Sequence, residues 1–488
     1  MKIGISKFRL SFVLIIVVSL CAKVNAQNNY FKDSYGLWYT ILSSNTVEIT
    51  DYDYNTDIKI PDKVKYLDKE YRVVGIGEGA FQFQSGVNKV TIPNTVTYIK
   101  RLAFSRCIGL KEIEIPNSVT YIGHSSFSGC QSLKKVTIPN SLDSIASGMF
   151  NECYNIKEIT IPESVKSIGE SAFSNCISLT NIVIPNSVTS IGERAFYKCS
   201  ELTSVVLGNS VAAIGKRAFM ECKKLTDITI SNSVERIGAY AFYGCESLEH
   251  IDIPNSVASI GNTAFAYCFI LSKATLPEGL DSIPNSLFSG CNLNSIVIPK
   301  GVTYLGASAF FGNHSLKEVI LPQGLKSIEE SVFSSCDSLT SIIIPDSVSF
   351  IGGDAFYGCD NLSEITLGSS VDSIGGGAFS KCEKLTYLTV RAINPPKIFK
   401  YSSCFDYKHY ENVTLYIPEG TLAAYQADLN WKKFKWVKEI PITGVQPSTI
   451  ENSDIPSVTY TLQGVRVSDT ENLPSGIYIR EGKKYQVK

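Results

Sequence analysis

Phenylalanine recurs every 23 residues along this chain, at Phe81, Phe104, Phe127, Phe150, Phe173, Phe196, Phe219, Phe242, Phe265 and Phe288. After one step of 22 the period resumes at Phe310, Phe333, Phe356 and Phe379. A fixed period of this length argues against a single globular core. Each copy is too small to bury its own apolar side chains, so copies must stack and share a core. The unit reads A-F-x-x-C-x-x-L-x-x-I-x-I-P-x-S-V-x-x-I-G-x-x, and one clean copy is Phe173, Cys176, Leu179, Ile182, Ile184, Pro185, Ser187, Val188, Ile191 and Gly192. The short step reflects a deletion between Cys291 and Leu293.

The segment Leu-x-x-Ile-x-Ile alternates at its end and is rich in β-branched residues, which predicts a short strand. Proline ends it, because proline cannot continue a ladder. Gly208, Ser231 or Gly368 stands there where proline is missing. The serine after the proline is expected to bond backbone in the following turn. Lys100, Ala146, Pro284 and Glu329 replace the glycine after the last isoleucine, so that position does not require a positive φ. The predicted fold is a curved solenoid, mainly β, with one short parallel strand per 23-residue repeat and irregular or short helical turns. About fourteen copies over residues 81–392 would stack to about 65–70 Å.

This unit resembles the BspA-like, Treponema pallidum-type leucine-rich repeat family over roughly residues 81–392. The resemblance implies a secreted or surface bacterial protein, and a host matrix protein or bacterial surface protein as partner.

The flanks depart from the period. Lys2, Lys7 and Arg9 precede an apolar run from Leu10 to Leu20, and Val24-Asn25-Ala26 offers small residues for cleavage. This predicts a signal peptide over residues 1–26 and export. A lipoprotein anchored at Cys21 is the alternative, disfavoured by Leu20 where a lipobox wants a small residue. Residues 27–80 read as an N-terminal cap, with alternating Leu37, Tyr39, Val47 and Ile49 and a degenerate half copy at Ile60 to Val64. Residues 393–440 read as a C-terminal cap, in which Thr421 starts a short helix and Trp431, Phe434 and Trp436 cover the last rung. Residues 441–456 read as a linker. Residues 457–488 form three strand-like runs, a small β appendage similar to the C-terminal tails of exported Bacteroidota proteins, some of which are sorting signals.

Composition excludes several functions. The 488 residues carry 45 basic and 46 acidic groups, without the basic stripe of a nucleic-acid binder. The four histidines, His124, His250, His314 and His409, have no cysteine or carboxylate at metal-ligand spacing. No later segment has the 18 apolar residues of a membrane-spanning helix. Gly75 to Gly79 and Gly375 to Gly377 lie in repeat turns and precede no long helix, unlike phosphate loops. No nucleophile elbow or catalytic carboxylate pair stands out, so the chain reads as non-enzymatic, with no cofactor.

Twelve cysteines, Cys107 to Cys291 and then Cys336, Cys359 and Cys382, occupy one repeat position. Identical stacked positions point in parallel, which disfavours the short Cβ separation of a disulfide. A ladder of buried thiols acting as small hydrophobes is expected. Gln84 and Asn313 replace cysteine in two copies.

Binding is expected on outward strand positions. Val297, Ile320 and Ile343 stack as a β-branched stripe flanked by Lys317 and Glu318, which invites a protein partner. Lys111, Lys134 and Lys157 form a secondary electrostatic patch, and Lys89, Glu112, Lys135 and Glu158 alternate in sign. Tyr387 is the lone outward aromatic read on the strands, which weighs against the alternative function, glycan capture for nutrient uptake.

Overall fold

The computed structural model describes residues 29–441, apart from 55 and 400–402, and the backbone of four short strands between 459 and 487. The expected signal peptide lies outside the described residues, as does all but the first residue of the expected linker.

The repeats form a parallel β-solenoid. Its first ladder uses the Ile-x-Ile segment, as in Lys89–Thr91, Glu112–Glu114 and Lys135–Thr137, paired in register. A second ladder, absent from the sequence reading, uses two residues before the repeat glycine, as in Ser167–Ile168, Ser190–Ile191 and Ala213–Ile214. Two residues are too few to show alternation, so pattern alone could not find it. The turns are bonded between rungs as well: Phe196 N–H donates to Ala218 O at 2.8 Å.

The core is a set of columns running along the stack. The repeat Phe, Cys, Leu, Val and Ile positions are almost all buried. Neighbouring Phe rings stack from Phe81 to Phe379, with centroids 5.0 Å apart at Phe81–Phe104. The widest gap, 6.1 Å, falls at Phe288–Phe310, the step of 22. Phe405 continues the column 5.3 Å beyond Phe379, off the 23-residue period and so unread.

Three repeat positions have causes the sequence did not reveal. All twelve thiols are buried and free, and each donates to the carbonyl of the repeat Phe one rung earlier, as Cys199 Sγ does to Phe173 O at 3.2 Å. The replacements do the same job: Gln84 Nε2 donates to Tyr52 O at 2.8 Å and Asn313 Nδ2 to Phe288 O at 2.8 Å. The position therefore selects a small buried donor, not only a small apolar group. The serine reaches backward, not into the following turn: Ser187 Oγ donates to Val165 O at 2.7 Å. Positive φ falls two residues after the repeat glycine and again two after the Phe, as at Arg194 (54°) and Lys198 (58°). Gly192 itself is needed for close approach, since a Cβ there would stand 2.6 Å from Gly169 C.

Asn313 also repairs the deletion. In a regular rung the repeat Leu N–H donates to the Cys carbonyl, as Leu225 does to Cys222 at 3.0 Å. One residue fewer puts that bond out of reach for Leu293, whose N–H donates to Asn313 Oδ1 at 3.1 Å.

The ends replace missing rungs with side chains. Ile58–Lys59 pairs with Lys89–Thr91 to start the first ladder, and Lys69–Ile76 pairs with Tyr98–Ile99 to start the second. Asp57 Oδ1 accepts Asn88 N–H at 2.8 Å and Lys89 N–H at 3.0 Å. These amides hold the Asp57 carboxyl below its ordinary pKa. At the other end Tyr425 Oη donates to Ala392 O and Trp431 Nε1 to Pro396 O, both at 2.7 Å. Trp431 and Phe434 pack on Phe405. Two expectations fail here. Trp436 is 61% exposed, its indole N–H donating to Glu411 O at 3.0 Å, whereas Trp431 and Phe434 are buried, and Thr421 precedes the helix Leu422–Ala427 without a side-chain cap, its hydroxyl donating back to Pro418 O. The tail holds four antiparallel strands, Thr459–Thr461, Arg466–Val467, Gly476–Arg480 and Lys483–Val487, the first expected run being split in two.

Candidate functional site

Outward positions of the first ladder alternate with buried ones, so each strand presents two side chains to solvent around one core residue. Val297 faces Ile320 in register across paired strands Ser295–Val297 and Glu318–Ile320. Ile343 follows one rung on, but its strand, Ser341–Ile343, belongs to a different hydrogen-bonded sheet. Val297 and Ile343 are 50% and 57% exposed, whereas Ile320 between them is half-buried. At the rim Lys317 is exposed and Glu318 half-buried. A second stripe, Val183 and Val206, pairs in register and is equally open.

Lys111, Lys134 and Lys157 are all exposed. Lys134 N–H donates to Lys111 O at 2.8 Å, holding the first two side by side. Lys157 stands where the ladder has no assigned strand. Of the alternating charges, Lys89 and Glu112 approach to 3.5 Å. At that exposure such a pair contributes a few tenths of a kcal/mol at most.

A groove of about 450 Å³ lies where the first ladder is interrupted between Asp227–Thr229 and His250–Asp252. Among the described residues no group of three His, Cys, Asp or Glu side chains is placed to hold a metal ion. No described helix is long and apolar enough to cross a membrane.

Tyr387 is not the lone outward aromatic of the strands: the second ladder, which the sequence reading did not contain, exposes Tyr121 and Tyr304 at 55% and 40%, and further outward aromatics stand on the turns. Tyr267, Phe269 and Phe311 are 40%, 53% and 39% exposed there. Sequence reading missed them because it followed strand positions only. The signal for Tyr267 was the position two after the Phe, where it interrupts residues such as Gly244 and Gly290.

A parallel solenoid of 23-residue turns with a consensus Leu and Ile core is a leucine-rich repeat architecture. The family model for the BspA type leucine rich repeat region matches residues 74–203, 189–317 and 281–411. The chain belongs to that family. Among solved structures it is similar to a leucine-rich repeat protein of Bacteroides ovatus, with 34% identity over 75% of this chain and 98% of that one, at a TM-score of 0.66. A leucine rich cell surface protein of Faecalibacterium prausnitzii matches with 31% identity over 64% of this chain and 94% of that one, at a TM-score of 0.45. The Treponema pallidum leucine-rich repeat protein matches with 26% identity over 49% of this chain and 90% of that one, at a TM-score of 0.33. No curated protein sequence matches the chain.

Proposed function

We propose that this is an exported, non-enzymatic surface protein that captures a protein partner on the outer face of its first ladder. Its partner class, by family resemblance, is a host matrix or bacterial surface protein. Export is supported by the basic, apolar and small-residue order of residues 1–26. The observation that carries the binding reading is the registered pair Val297 and Ile320, continued by Ile343 and rimmed by Lys317 and Glu318. β-Branched side chains half open to water gain by being covered, and charges at the edge favour one docking register. Lys111, Lys134 and Lys157 would steer an acidic partner without adding much affinity at physiological salt.

The half-burial of Ile320 selects the test. An aspartate there would strain the ladder itself, so Val297→Asp and Ile343→Asp are the cleaner probes. In biolayer interferometry against immobilised matrix proteins, each is expected to weaken capture at least tenfold with an unchanged circular dichroism melt. Lys134→Glu is expected to slow association at low salt only. Undiminished capture by both aspartate variants would place the site elsewhere. The β tail, residues 457–488, is similar to tails some of which are sorting signals; if it acts as one, its deletion blocks surface display, and unchanged display makes it a β appendage without that role.

A further inference from the structure

We propose a second binding site, on the turns between the repeat Phe and Leu, that takes a linear polysaccharide of flat, equatorially linked sugar rings. Side chains from adjacent rungs form an aromatic tray there. A Cβ at Gly290 would stand 2.9 Å from the Tyr267 ring, so the absence of a side chain at Gly290 lets that ring lie over the next turn. Tyr243 meets Tyr267 at 5.2 Å and 61°, and Phe269 meets it at 6.1 Å and 75°. Tyr267 is the floor and the other two are steeply inclined walls. Tyr240 extends the row 5.9 Å beyond Tyr243. The Arg217 guanidinium lies 5.2 Å over the Tyr240 ring, leaving that end polar.

On one flank Phe269 and Ile270 stand 53% and 45% exposed, beside the next turn, where Asn292 takes the place of two loop residues. The ligand class follows from what the tray offers. Open ring faces favour the C–H face of a pyranose, which is the electropositive side of an otherwise polar molecule. Each hydroxyl of Tyr240, Tyr243 and Tyr267 can both donate and accept, so a ligand with hydroxyls at its edge can replace the water around them. Tyr243 and Tyr267 stand on adjacent rungs with ring centroids 5.2 Å apart, close to the length of one sugar in an extended chain, so two consecutive sugars can meet the two rings.

The test is affinity electrophoresis of the full chain through native gels holding mixed-linkage β-glucan, glucomannan or arabinoxylan, each against a gel without polysaccharide. Retardation in at least one is expected. Tyr267→Ala and Phe269→Ala should each raise the dissociation constant at least tenfold, and Tyr267→Phe a few-fold. Phe269 is open to water, so its variant stays folded even where Tyr267→Ala does not. Val297→Asp should migrate as the parent does, which separates this site from the strand face. Free migration in all three gels overturns the proposal, as does equal retardation of Phe269→Ala and the parent chain.

Discussion

Replacing Cys199 tests whether the thiol ladder is a column of donors or of small hydrophobes. Cys199 is fully buried, and its Sγ donates to Phe173 O at 3.2 Å. Cys199→Ala removes the sulfur and the donor together. Loss of a sulfur-sized group from a packed core costs on the order of 1 kcal/mol. Phe173 O also accepts Cys176 N–H at 3.1 Å, so it is not orphaned. The donor's loss then costs about 0.5–1 kcal/mol, the lower part of the usual range. The sum for alanine is about 1.5–2 kcal/mol. Cys199→Ser gives up part of the packing but keeps the donor, so it should cost about 1 kcal/mol. A hydrophobe-only column predicts the reverse, because a buried hydroxyl would be penalised. Urea midpoints of the two variants, followed by far-ultraviolet circular dichroism, decide between them. Alanine as stable as serine or more so would refute the donor account.

Asn313→Leu should cost more than any single ladder cysteine, about 3–4 kcal/mol, because it orphans Leu293 N–H and removes the donor to Phe288 O; thermal melts against Cys199→Ala check the order. Burial pushes the Cys176 thiol up to about 12 and raises the Cys199 thiol beside it well above its ordinary value. The twelve thiols should resist iodoacetamide in the folded protein and react fully in denaturant without reductant, as read by intact mass. His409 accepts Asp406 N–H at Nδ1 (3.1 Å) and donates from Nε2 to Cys382 O (2.9 Å), so it sits neutral, and burial holds its pKa below the ordinary value. A depressed histidine contributes stability above its unfolded pKa of about 6.5 and loses it as pH falls through the folded value. Protection factors from hydrogen exchange around residues 379–399 and 403–413, corrected for the pH dependence of intrinsic amide exchange, should fall on acidification below pH ~6.5, and His409→Gln should flatten that slope.

The solenoid was legible because Phe, Leu and Ile must be buried in every copy, and burial enforces identity at fixed spacing. The Ile182-x-Ile184 strand was legible for the same reason. Ser190–Ile191 was not, since two ladder residues leave no period. Arg194 and Lys198 hide their positive φ because the neighbouring rung's hydrogen bonds impose it, whatever the residue. The reach of Ser187 back to Val165 is a contact between copies, which a single unit read alone does not contain. On the candidate face, the outward direction of Val297 followed from alternation, while the half-burial of Ile320 depended on its neighbours. The Tyr267 tray depended on the absent side chain at Gly290, a contact between copies that one unit read alone does not contain.

The side-chain bonds of a rung are made to the same positions of its neighbour, so in principle any copy can follow any other. Unequal crossing-over between the coding repeats would then add or remove whole turns and leave no polar group stranded. The array is free to change its length across generations as a stack of interchangeable units. One junction resists this. Leu293 depends on Asn313, which lies in the following copy. A crossover between them would join the shortened loop to a cysteine that cannot accept its amide, or set an asparagine against a loop that does not need it. These two copies travel through any such rearrangement only as a pair.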